Sequence, residues 1–184
     1  MLTFAQFLAD AARKGEAVNT LFEERLFDLV SILHKIAHTL ADEDIPYELI
    51  GGLAVLIHVE EANPEHSTLT RDIDLMVRRA DLEHIREAGI DMLPRGSANG
   101  GRNAVNLTFT AKEGPITPER KYILGEEVFV APVADLVTMR LSSYRDKDRV
   151  HIRSMDAAAL ITPEVESELT PVLLERLRHI RETE

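Results

Sequence analysis

The sequence predicts an α+β protein, a small mixed β-sheet core flanked by N-terminal helices and a C-terminal helical segment. Three observations carry this. Apolar residues recur at helical spacing before residue 42, short apolar or alternating runs lie between residues 47 and 130, and helical spacing resumes from Val133 to the end. The chain divides accordingly into residues 1–44 (helices packing on the core), 45–131 (the sheet-bearing core) and 132–184 (the C-terminal helical region).

Residues 3–13 read as a short helix, with Phe4, Phe7, Leu8 and Ala11 on one face. A longer helix is expected over 19–41, where Leu21, Leu26, Val30, Leu33, Ile36 and Leu40 form a stripe. Pro46 cannot continue a helix ladder and biases Ile45 to extended geometry. Tyr47–Ile50 is a short strand that Gly51 and Gly52 end, and Leu53–Val59 is a helix. A loop follows over 60–69, then a strand over 70–77, and a helix over 80–88 that stops at Gly89. Residues 95–101, RGSANGG, are a turn signal. Val105, Leu107 and Phe109 alternate with polar residues, as in a half-buried strand, and Val128–Val130 is another short strand. Helices are expected over 133–145, 147–160 and 164–182.

Composition narrows the chemistry. The 184 residues, 45% hydrophobic and 29% charged, suffice for a core without staples. Cysteine is absent, which removes disulfides, thiolate metal sites and cysteine nucleophiles. The net charge of −11 disfavours non-specific nucleic-acid binding. No apolar run is long enough to span a bilayer, and the start, MLTFAQFLADAARKGE, lacks a signal-peptide pattern. The expectation is a cytoplasmic protein without a membrane partner.

Two motifs carry candidate chemistry. In a strand, residues i and i+2 share a face, so Asp72 and Asp74 lie together opposite Ile73, Leu75 and Val77. Two such carboxylates repel by about 3 kcal/mol in partly screened surroundings. A Mg²⁺ ion offsets that repulsion and shares its shell readily with water and phosphate; a solvated edge strand offsets it equally. Gly51-Gly52, at a strand-to-helix junction, lets a phosphate approach the backbone beside helix N-terminal N–H groups. It also reads as a plain tight turn. Together the two motifs suit a nucleoside triphosphate with its metal.

The pattern G-G, helix, loop, then D-I-D resembles the nucleotidyltransferase superfold of DNA polymerase β and the minimal nucleotidyltransferases, and most closely the abortive-infection nucleotidyltransferase toxins. Thr68 and Thr70 resemble that group's threonine-rich approach to the aspartates. The stretch DLVTMRLSSYRDKDRVHI resembles its later basic motif, with Arg140 at a position usually lysine and Arg145, Lys147 and Asp148 in the following places. The likeness covers about residues 46–153. It departs at Asn106, where the superfold has a third carboxylate, and at His151, where related sequences often have aspartate. Asp91 is an alternative source of the third acid.

The resemblance implies Mg²⁺- or Mn²⁺-dependent transfer of a nucleoside monophosphate from an NTP, ATP being the first candidate, to an acceptor hydroxyl on a small molecule, a protein or an RNA end. Asp72, Asp74 and Asn106 stand as the catalytic set, the two aspartates also as metal ligands. Gly51, Gly52, Arg71, Arg145 and Lys147 stand as nucleotide-binding residues. Arg149 and Arg153, i and i+4 in the same basic cluster, and His66, in the loop before Asp72, equally suit a solvated surface. Two other functions are compatible: a nucleotide-binding module that has lost catalysis through Asn106, and an interaction protein of toxin–antitoxin type with an antitoxin-like partner.

Overall fold

The computed structural model describes residues 26–68, 70, 72–89 and 106–183, with Asn106 described for its backbone only. The expected helix over 3–13, the turn over 95–101, and the candidates Arg71 and Asp91 lie outside the described residues.

The architecture is α+β with a five-stranded mixed sheet. Helix α1 covers 26–42 of the described residues. Strand β1 (Tyr47–Ile50) leads into α2 (Gly51–Ala62), and a 3₁₀ turn, Pro64–His66, precedes β2 (Asp72–Arg78). A second 3₁₀ turn, Arg79–Asp81, leads into α3 (Leu82–Glu87), followed by β3 (Asn106–Lys112), β4 (Glu119–Ile123) and β5 (Glu126–Val130). Four helices complete the chain: α4 (Val133–Ser143), α5 (Asp146–Ala157), α6 (Pro163–Ser167) and α7 (Pro171–Glu182). The strand order is β3-β2-β1-β5-β4. Strand β1 pairs antiparallel with β2 and parallel with β5, β2 pairs parallel with β3, and β4 pairs antiparallel with β5.

Several boundaries differ from the sequence expectation and one strand is added, four of these differences having a clear local reason. Helix α2 opens at Gly51 itself and runs on through Ala62, so the glycines belong to the helix start. Helix α4 stops at Ser143 because Tyr144 takes a left-handed conformation, φ 50°. The single helix expected over 164–182 is two, since Pro171 opens α7 after an extended Thr170. Strand β4 has no alternating apolar pattern and was not foreseen. It exists as the outer arm of a hairpin whose two-residue turn, Leu124-Gly125, has positive φ at both positions (50° and 86°), the geometry that matches strand twist.

Alternation gives the sheet two faces. Ile73, Leu75 and Val77 of β2 are buried, while Asp72, Asp74, Met76 and Arg78 are half-buried. Leu49 lies opposite Leu75 and Ile50 opposite Asp74, which extends both faces into β1. The buried face joins α1, α2 and the C-terminal helices in one continuous hydrophobic cluster, from Leu29 through Leu75 to Ile180. With the apolar side committed to this core, the half-buried side is left for polar groups. None of the described helices is long and apolar enough to cross a membrane.

Candidate functional site

The double glycine meets Asp74, the second of the paired aspartates. Gly51 has φ +79°, and a Cβ built on it would lie 2.2 Å from Asp74 Oδ2 and 2.8 Å from Asp74 Cβ. A Cβ on Gly52 would lie 2.7 Å from Thr70 Oγ1 and 3.4 Å from His151 Cε1. The bend is therefore bounded by Asp74 on one side and by Thr70 and His151 on the other. The N-cap residue of α2, Ile50, makes no side-chain cap hydrogen bond, and the first turn holds no acid.

The floor of the site is set by register. Asp74 stands opposite Ile50, the residue before the bend, and Asp72 stands opposite Asn106 in the parallel β2–β3 pair. Asn106 is thus the β3 residue level with Asp72. Among the described residues no three acidic or histidine side chains are grouped to hold a metal ion. The donor set is a pair of aspartates on one strand face, which suits a Mg²⁺ ion that takes one or two carboxylates and fills its shell with water and phosphate oxygens.

A second layer comes from α4 and α5. Asp148, fully buried, accepts hydrogen bonds from Arg140 Nη1 (2.9 Å), Arg145 Nε (2.7 Å) and the Arg145 backbone N–H (3.1 Å). Burial alone would raise the Asp148 carboxyl, but the bonds from Arg145, Arg140 and Ser143 outweigh it and hold the group well below the usual carboxylate range. The clamp fixes Arg145 at the start of α5, within charge reach of Asp74. Lys147 is exposed one helical turn before His151. His151 is 9% exposed, and burial, then the charges of Arg140, Lys147 and Arg145, push its imidazole down to about 4. A neutral imidazole thus packs against Gly52.

The sequence-chosen residues are not all gathered. Asp74 lies against Gly51, Thr70 and His151 lie against Gly52, and Asp72 shares the strand face of Asp74. Arg149 pairs with Asp146 and stacks 5.8 Å from the Tyr144 ring centroid. His66 serves through its backbone carbonyl, which accepts the Ser154 hydroxyl. The sequence had pointed to His151 only through the resemblance, and its contact with Gly52 is a finding of the fold. His34 and His38, an i, i+4 pair passed over in the sequence, both reach Glu126 Oε2, at 3.5 and 2.9 Å, and tie α1 to the β4–β5 hairpin. Compared with known proteins, the chain matches no family model and no curated protein.

Two outcomes follow from this geometry. Gly51→Ala combines a positive φ with a contact of 2.2 Å, whereas Gly89 has φ +74° and nothing within 4 Å. Gly89→Ala is expected to cost about 1 kcal/mol and Gly51→Ala about 2–4 kcal/mol in urea unfolding; equal costs would deny the contact with Asp74. For His151, the folded value of about 4 lies below the ordinary 6.5, so its stabilisation is full above pH 6.5 and is lost as pH falls toward 4. Between pH 7 and pH 5, His151→Gln is expected to lose roughly 2 kcal/mol less stability than the parent protein. An unchanged pH dependence in that variant would contradict a buried neutral imidazole.

Proposed function

We propose that the protein is a nucleotidyltransferase of the polymerase-β-like superfold, moving a nucleoside monophosphate from a Mg²⁺-bound NTP to an acceptor hydroxyl. The observation that carries the reading is the approach of Gly51 to Asp74, which puts a helix N-terminus suited to phosphate against a carboxylate suited to the metal. Asp72 and Asp74 would hold Mg²⁺ or Mn²⁺, whose charge neutralises the triphosphate and the departing pyrophosphate. The N–H groups opening α2 would donate to phosphate oxygens, at a bend that Gly51 and Gly52 allow to close on Asp74 and Thr70. Thr70 Oγ1, beside Gly52, is a further donor to such an oxygen. Arg145, steadied by Asp148, and Lys147 would meet the remaining negative charge. A neutral His151 donates or accepts a hydrogen bond there without adding charge. Rate enhancement would come mainly from positioning and fixed electrostatics.

A second reading has its own support. Asn106 stands opposite Asp72, where a third acid would complete the catalytic set. An asparagine there brings no negative charge and no proton acceptor, which favours a module that binds nucleotide without transferring it.

Titration calorimetry with Mg·ATP, run beside label transfer from α-labelled NTPs to a panel of acceptors, separates the two. Transfer is expected in the wild-type protein, with a loss of at least 100-fold in Asp72→Asn and Asp74→Asn and both variants still folded. Binding without transfer to any acceptor would favour the lapsed module. Wild-type activity in both variants would rule out the metal role of the aspartates.

A further inference from the structure

Strands β3 and β4 occupy opposite edges of the sheet, yet residues 113–118 alone connect them. Lys112 is level with Arg78, whereas Glu119 is level with Val130, Leu49 and hence Leu75. Crossing four inter-strand gaps covers about 19 Å, and three residues of offset along the strands add about 10 Å, a diagonal of roughly 22 Å. Seven extended Cα steps reach about 24 Å. The connection is thus a short strap laid across one face of the sheet; it bends at Glu113-Gly114, where Gly114 has φ +83°, and Pro118 favours an extended Thr117 beyond.

The strap crosses the polar face, because the Thr117 backbone N–H donates to the Glu48 carboxylate. Glu48, on β1, stands opposite Met76 and two residues from Ile50, so it alternates onto the face that carries Asp72 and Asp74. Of the residues that β1, β2 and β3 place on that face by alternation, Glu48 is the one carboxylate besides those two. It is 1% exposed, and its Oε2 has no hydrogen-bond partner among the described residues. A buried acceptor left with an open valence is costly and calls for a reason. One oxygen is anchored by the strap and the other is not, so the group is oriented and retains capacity for a proton. A diagonal neighbour across an antiparallel pair is roughly 7–8 Å away, within reach of a long side chain or of one bridging water.

We propose that Glu48 accepts the proton of the incoming hydroxyl, supplying the function that Asn106 leaves unfilled. This rests on the nucleotidyl-transfer reading above. In the step, the acceptor O–H bond breaks and its proton passes to Glu48 Oε2, directly or through one water. The acceptor oxygen bonds to the α-phosphorus as the bond from that phosphorus to its bridging oxygen breaks, and pyrophosphate leaves with the electron pair. The surroundings suit the role. Burial raises the Glu48 carboxyl and Asp135 adds to this, while Lys112 and the Thr117 N–H act in the other direction; a raised carboxyl is the stronger proton acceptor when ionised.

Glu48→Gln preserves the shape and an oxygen for Thr117. It is expected to lower kcat by 100-fold or more, to leave KM for the NTP and calorimetric Mg·ATP binding within about threefold, and to remove the acidic limb of the kcat–pH profile. Asp135→Asn, which removes the other acid near Glu48, is expected to keep kcat within about threefold of wild type. Should Glu48→Gln fail to fold, Glu48→Met keeps the volume without the charge and carries the same expectation. Wild-type kcat in a folded Glu48 variant, or a retained acidic limb, overturns the assignment while leaving nucleotidyl transfer intact. Absence of transfer by the wild-type protein overturns both.

Discussion

Between Gly51 and Asp74 there is no room for a methyl group, and that crowding organises the rest of the molecule's polar side. The contact requires a residue without Cβ at a positive φ, on a bend that starts a helix, beside a strand whose even-numbered residues turn away from the core. Shifting β2 by one residue would send Ile73 and Leu75 to the polar face and bury both aspartates, a change the hydrophobic core forbids. The burial of Ile73, Leu75 and Val77 is thus what holds the acids in place.

The C-terminal helices brace this arrangement. Asp148 joins α4 to α5 by taking hydrogen bonds from Arg140 and Arg145 at once. A fully buried carboxylate is tolerable only with such complete satisfaction, and it holds Arg145 within charge reach of Asp74. His151, one turn further along α5, closes against Gly52. The histidines of α1 belong elsewhere, fastening the first helix to the hairpin at the far edge of the sheet. The strap over 113–118 adds the remaining boundary and buries Glu48 beneath it.

Much of this was legible in the residues. Alternation in β2 fixed the shared face of Asp72 and Asp74, and the helical stripe of α1 located its buried side, because both depend on local periodicity. Strand β4 was not legible: ERKYI is held by its pairing with β5, which is a tertiary fact. Pro171 marks a helix start in the sequence, and an extended Thr170 before it divides α6 from α7. Glu48 looked like one polar residue in a short apolar strand, and nothing local reveals that a distant strap covers it. The contact of His151 with Gly52 spans 99 positions and depends on the packing of α5 against the bend.

The account turns on whether the glycine bend and the aspartate pair act as one site. Anomalous diffraction from crystals grown with Mn²⁺ and a non-hydrolysable ATP analogue addresses this directly. The expected result is a manganese peak beside Asp72 and Asp74, with the triphosphate at the N-terminus of α2. Manganese bound away from both aspartates, or a triphosphate lodged elsewhere on the protein, would contradict it.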